Sequence, residues 1–192
     1  MAFNQIIQLV GVVAGSGFVI ILLWSALFPS HRIWPPQYYS RLTAIVTWIA
    51  TLAVFGPALW LGVTGWGSLG LPDWLRFGPG LLAVLLGNVL VWPAAFRFGF
   101  DQTSGDTGKL MTTGLYRYSR HPQYVADMLM LAGWAVLSAS ASALPVIFAG
   151  IAALAAAPFA EEPWLRETYG AQYDAYCKRT PRFIGVPRET GS

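Results

Sequence analysis

The chain has 192 residues, 55% of them hydrophobic and only 11% charged, with nine tryptophans and a mean hydropathy of +0.51. Soluble domains carry about 25% charged residues, so this composition excludes an ordinary soluble globule or a disordered chain and points to a single all-α, membrane-embedded unit. One cysteine, Cys177, excludes a disulfide framework and a multi-cysteine metal cluster, and a net charge of +3 with no Lys/Arg block argues against nucleic acid as a partner.

Residues 6–28 form the first uncharged run, 23 positions with Gln8 as the one strongly polar side chain. That length crosses about 30 Å of hydrocarbon at about 1.5 Å per residue. A basic leader and a small-x-small cleavage site are missing, so the run reads as a span and not as a cleaved signal peptide. Residues 42–66 and 77–96 are the second and third runs. Pro57 and Pro93 lie inside them, which lipid-embedded helices tolerate because neighbours satisfy the freed carbonyls. Residues 124–160 hold 37 positions and a single charge, Asp127. This is too long for one helix, and the serines of residues 138–142 with Pro145 predict a turn between two short spans. Small residues at Gly150–Ala153 and Ala155–Ala157 would let that hairpin pack closely.

Five spans divide the basic residues unevenly. Arg32, Arg41, Arg97, Lys109, Arg117, Arg120, Arg166, Lys178, Arg179, Arg182 and Arg188 fall on one side, and Arg76 alone falls on the other. Basic residues of short loops are retained on the cytoplasmic side, so the N-terminus is expected outside and the C-terminus in the cytosol. The two polar segments able to do chemistry, residues 97–123 and 161–192, then share the cytosolic face. The chain divides accordingly into an N-terminal transmembrane region, 1–96, and a C-terminal module, 97–192.

The first polar segment opens as a Gly-, Asp-, Thr- and Ser-rich loop. Gly105 and Gly108 either form turns there or let backbone amides approach a ligand. Arg117, Arg120 and His121 follow, just ahead of Pro122, which suits the first turn of a helix because its missing N–H has no partner there anyway. His121, Tyr124 and Asp127 recur at spacings of three residues and share a face near the cytosolic end. Interfacial anchoring by arginine and tyrosine is the plain alternative. Asp127 either faces a cavity or is neutralised by Arg117 or Arg120.

The second segment begins with Glu161-Glu162-Pro163. Two carboxylates at the end of an apolar helix are costly without partners. Glu162 is expected to pair with Arg166 one turn on, whereas Glu161 has no local partner. After Pro163 the apolar positions Trp164, Leu165, Tyr169, Tyr173 and Tyr176 fall at helical spacing. They predict an amphipathic helix that ends before Thr180-Pro181 and lies back against the membrane or the first segment. Cys177 reads as a packing residue on it, and two histidines with scattered acids make no recognised metal-ligand spacing.

Gly114-Leu115-Tyr116-Arg117, then Arg120-His121-Pro122-Gln123-Tyr124, then a hydrophobic hairpin, Glu161-Glu162, and the run from Tyr169 to Arg182 together resemble the isoprenylcysteine carboxyl methyltransferase family. Related phospholipid methyltransferases share that C-terminal module, and the likeness covers roughly residues 97–186. The resemblance implies an integral membrane enzyme that uses S-adenosyl-L-methionine. It implies cofactor contacts at Gly108, Lys109, Leu110, Met111, Tyr116, His121, Pro122, Gln123, Tyr124 and Glu161. The acceptor is expected to be a lipophilic or prenylated molecule arriving from the bilayer, with Arg117, Arg120 and Asp127 as substrate-binding candidates and His121 and Asp127 as acid/base candidates. Ala157 departs from the pattern, since the prenylcysteine enzymes resemble one another in an arginine at that place, which would engage a substrate carboxylate.

Two other readings stand beside this one. Sterol reductases resemble the family in the same module and use a nicotinamide cofactor, but adjacent carboxylates repel that cofactor's phosphates. A non-catalytic membrane protein, such as a small transporter or assembly factor, would bind neither cofactor.

Overall fold

In the computed structural model, which describes residues 2–103 and 108–188 and the side chains of all of these except 93–103, the uncharged runs fold as five long helices. Gly105 and the side chain of Arg97 lie outside the described residues. Helix α1 is Ala2–Leu27 and α2 is Arg41–Thr64. A single turn, α3, Asp73–Leu75, passes through a π-type turn at Arg76–Gly80 into α4, Leu81–Thr103. Helix α5 is Pro122–Ser138, α6 is Leu144–Tyr169 and α7 is Ala171–Arg179. No strand occurs among the described residues.

Local chemistry sets several of these limits. Ser40 caps α2 by accepting from the Thr43 amide at 3.1 Å, and the Thr43 hydroxyl accepts in return from the Ser40 amide at 2.9 Å. Pro122 opens α5, and Ala139, in the left-handed conformation, closes it. The serine-rich stretch is the predicted turn, with Pro145 in the first turn of α6. One boundary differs from expectation. Helix α6 runs on through Pro158 and Pro163 and breaks only at Gly170, whose φ of 52° suits a residue without a side chain. A proline inside a helix forfeits one hydrogen bond, and here the flanking turns keep the helix continuous. The terminal helix is therefore α7 alone, shorter than the sequence implies.

Helices α4 and α1 flank the α5–α6 hairpin on opposite sides, and α2 packs against α1, α6 and α5. Val54, Ala58 and Leu61 of α2, Leu131 of α5 and Val146 and Ile147 of α6 form the main core. A second cluster joins Leu22 of α1 to Ala153, Ala157 and Ala160 of α6. Ala153, Ala157 and Ala160 of α6 thus serve its seam with α1, whereas Gly150 faces Leu131 of α5 and Val54 of α2. Gly11 and Gly15 complete the α1–α6 seam from the α1 side, where an added Cβ would lie 2.7 Å from Val146 and from Ala149. The second close seam joins α4 to α5 through Gly80, Gly87 and Gly133.

Four helical stretches, Ala2–Leu27, Arg41–Thr64, Asp73–Trp92 and Leu144–Tyr169, are long and apolar enough to cross a membrane. Ile6, Leu9, Val13 and Ile20 of α1, Leu42, Ile45, Ile49 and Leu52 of α2, and Leu82, Leu85 and Val89 of α4 are exposed, as lipid-facing residues are. Helix α5 has 17 residues and rises about 26 Å, so it is the short inner member of the five. The chain is an integral membrane protein. Helix α4 runs continuously across the boundary placed at residues 96 and 97.

Candidate active site

Adjacent residues on an α-helix point about 100° apart, so Glu161 and Glu162 at the polar end of α6 face different surroundings. Glu162 turns inward, and its side chain is 2% exposed. Its carboxylate accepts a two-pronged pair from Arg182, Nε at 2.8 Å and Nη2 at 2.7 Å, and lies 3.1 Å from Nη1 of Arg120. It does not pair with Arg166, which instead meets Asp174 of α7 at 3.3 Å on the exposed side. The expected one-turn pair gives way because the inward rotamer reaches two guanidinium groups at once.

Glu161 turns toward an open cavity. Its Oε1 accepts from the indole N–H of Trp34 at 3.0 Å and from the hydroxyl of Tyr124. Its Oε2 lies 3.5 Å from Nδ1 of His121. The imidazole is held between the two glutamates, with Nε2 3.6 Å from Glu162, and its ring stacks on Tyr124. Burial by itself disfavours the imidazolium, but hydrogen bonding and charge from Glu161 and Glu162 outweigh it, and the pKa is raised above 6.5. The Tyr116 phenol is also raised, by burial first and then by Tyr176 and Glu161.

The C-terminal segment clamps the approach to α5. The Tyr176 hydroxyl donates to the Tyr116 carbonyl at 2.6 Å, the Arg120 amide to the Pro181 carbonyl at 2.9 Å, and the Ser119 hydroxyl to the Arg182 carbonyl at 3.3 Å. The Tyr169 hydroxyl donates to the Gly108 carbonyl at 2.6 Å and so fastens the loop at 108–111 to the end of α6. Arg182 also lies over the Phe159 ring at 4.1 Å, and its pairing with Glu162 raises its pKa further.

The cavity brings together Gly108, Lys109, Leu110, Met111, Tyr116, Arg120, His121, Gln123, Tyr124 and Glu161. Pro122 is buried behind it as the first residue of α5. Arg117 is exposed and Asp127 sits a turn further along α5, so neither lines it. Asp127 pairs with neither Arg117 nor Arg120, because Arg120 is engaged by Glu162. The sequence reading missed Trp34 and Pro35, which come from the connection between α1 and α2. It placed Trp164, Leu165, Tyr169, Tyr173 and Tyr176 on an amphipathic face without assigning them to the site, and their alignment with the carboxylates was the available signal. Cys177 packs within this region, with Sγ 2.7 Å from Nη1 of Arg120.

Helices long and apolar enough to cross a membrane thus end in a polar module, with a carboxylate set into an aromatic cavity. The sequence model of the phospholipid methyltransferase family matches residues 75–172, just over half the chain. The chain belongs to the phospholipid methyltransferase family, and the match spans α4, the loop, the hairpin and the start of α7. Among curated proteins, the nickel-cobalt-cadmium resistance protein NccN of Alcaligenes xylosoxydans xylosoxydans is 28% identical over 55% of this chain and 47% of its own length. The cobalt-zinc-cadmium resistance protein CzcN of Cupriavidus metallidurans is 28% identical over 73% of this chain and 60% of its own length. The chain thus spans between about half and three-fifths of these relatives. No solved structure matches it significantly.

Proposed function

We propose that the cavity binds S-adenosyl-L-methionine and that the protein transfers its methyl group to a lipophilic acceptor delivered by the bilayer. The observation that carries this reading is Glu161, a carboxylate of the family-matched segment with 16% of its side chain exposed, set in a cavity wall with Trp34, Tyr116, Tyr124, Trp164 and Tyr169. A carboxylate in an aromatic wall suits a ligand carrying a sulfonium and an ammonium, through charge and cation–π attraction. When bound, the cofactor supplies an already activated methyl group, so the tasks left to the protein are alignment and exclusion of water. Glu161 would hold the cationic part, and the loop at 108–111 with Tyr116 and Gln123 would cover the remainder. His121 is the titratable group on the wall that is placed to take up or hold a proton. Arg120 is committed to Glu162 and the Glu161 carboxylate faces the cavity, which counts against a phosphate-bearing nicotinamide cofactor even with Lys109 on the wall.

Two acceptor classes follow from the resemblance and the family: the carboxylate of an isoprenylated cysteine, and the amine headgroup of a phospholipid. Ala157 is 5% exposed and packed in the Leu22 cluster, so this position offers no cation for a carboxylate, which favours the phospholipid class. The names of the two relatives concern metal resistance. Among the described residues no group of three or more His, Cys, Asp or Glu is placed to hold a metal ion, and lipid methylation is the reading we retain. The basic residues gather at the polar end of the helices, which supports a cytosolic site and an external N-terminus.

The test is transfer of labelled methyl groups from S-adenosyl-L-methionine into lipids of proteoliposomes holding the purified protein. Label is expected in the organic phase with the unaltered protein and at least tenfold less with Glu161→Ala. Label absent from every lipid class offered, with both phospholipids and prenylated cysteine present, would overturn the proposal.

A further inference from the structure

The family match begins at residue 75, yet one wall of the cavity comes from residues 34 and 35. Several contacts hold that wall in place. Ser25, fully buried on α1, donates its hydroxyl proton to the Ile21 carbonyl at 2.8 Å and accepts from the amides of Ile33 and Trp34, each at 3.0 Å. Arg32 reaches Glu167 on α6 at 3.2 Å and ties the same segment down from its other side. The Trp34 indole packs on the cluster of Leu22, Ala153, Ala157 and Ala160, small side chains that leave room for it, and its N–H meets Oε1 of Glu161 at 3.0 Å.

A glutamate at a cavity mouth has three side-chain torsions and no reason to hold one orientation unless other groups fix it. Here Trp34 and Tyr124 both donate to Oε1, so Oε2 is the oxygen left toward His121 and the cavity. We infer that Trp34 is a positioning residue supplied by the N-terminal helices, which fixes the Glu161 carboxylate for a cationic ligand. The inference rests on the proposal that the cavity takes such a cofactor. It assigns a task to the first part of the chain, which otherwise only supports the fold. Loss of the indole N–H leaves Oε1 held by Tyr124 alone and removes a hydrogen bond to a charged group, a type of bond whose loss lowers affinity by about tenfold or more.

Trp34→Phe keeps an aromatic ring on the alanine cluster and removes only the donor. Titration with S-adenosylhomocysteine, whose ammonium carries the positive charge, should show about tenfold weaker binding in this variant. In a Glu161→Gln background the same substitution should cost less than threefold, because its effect acts through that carboxylate. Binding within twofold of the unaltered protein, or an equal loss in both backgrounds, would overturn the inference. A ligand-free measurement separates it from the proposed function. The indole 15N–1H resonance of Trp34, assigned by its disappearance in Trp34→Phe, should move in Glu161→Gln. An unmoved resonance would overturn the pairing whether or not the cofactor binds, whereas failure of the unaltered protein to bind S-adenosylhomocysteine, with the resonance shifting as expected, would overturn the proposed function and leave the pairing standing.

Discussion

Glu161 and Glu162 are neighbours with opposite duties, and substitution should separate them. Removing one partner of a buried, paired charge strands the others, at a cost of about 3 to 5 kcal/mol. Glu162→Gln should therefore destabilise the protein by about 3 kcal/mol, read as a lowered denaturation midpoint, since its side chain is 2% exposed and receives Arg120 and Arg182. Arg166→Ala breaks only an exposed pair with Asp174 and should change stability by less than about 1 kcal/mol. His121 adds a pH dependence. Its pKa is raised in the folded state, so its contribution is fully present below about 6.5, the ordinary value, and is lost as pH rises through the folded value. The melting temperature of the unaltered protein should exceed that of His121→Gln by the widest margin near pH 6, and the margin should shrink toward pH 9. At this scale the sequence was partly legible. An unpartnered Glu161 beside a helix end is visible in the order of residues, but Arg182, which satisfies Glu162 from 20 positions away, is not, because only the fold brings it back.

Among the elements, the helices were legible from the absence of charge and their junctions were not. The uncharged runs predict α1, α2, α4 and the hairpin because backbone polar groups must be satisfied within each segment in lipid. Pro163 was misleading as a boundary because a proline within an apolar helix is tolerated when surrounding contacts hold it, and Gly170, with its positive φ, makes the actual break. The seams depend on partners that local sequence does not name. Gly133 of α5 faces the backbone of α4 and of the π-type turn before it, where a Cβ would lie 2.7 Å from the Val84 amide nitrogen and 2.9 Å from the Gly80 carbonyl oxygen. Backbone cannot rotate away, so Gly133→Val should cost about 2 kcal/mol by overpacking, measured by thermal denaturation in detergent. The small stripe of α6 was readable as a close-packing surface, but its main partner, α1, lies more than 100 residues earlier in the chain.

For the molecule as a whole, charge is segregated along the bundle. Arg76, at the end of the bundle where the Gly67 amide meets the Ser138 carbonyl, stands apart from the basic residues around the cavity. It caps α5 by donating to the Leu137 carbonyl at 3.1 Å and lies between Trp66 and Phe77. This asymmetry was legible from sequence, since counting Lys and Arg between apolar runs needs no contacts. The orientation it supports predicts that a membrane-impermeant thiol reagent applied to intact cells labels Asp73→Cys and not Lys178→Cys, each in a Cys177→Ser background. The reverse pattern would place the cavity outside. Of the cavity wall, residues 108–111, Tyr116, Gln123, Tyr124 and Glu161 were named through the resemblance, Trp164, Leu165 and Tyr169 were not assigned to it, and the Trp34 side was invisible, because nothing in the order of residues announces that the connection between α1 and α2 folds over α6.

Calorimetric titration of the detergent-solubilised protein with S-adenosylhomocysteine, repeated with NADPH and with Glu161→Ala, tests the central claim most directly. The account predicts saturable binding of S-adenosylhomocysteine, no binding of NADPH, and at least tenfold weaker binding in the variant. Binding of NADPH alone, or S-adenosylhomocysteine binding that the variant leaves untouched, would contradict it.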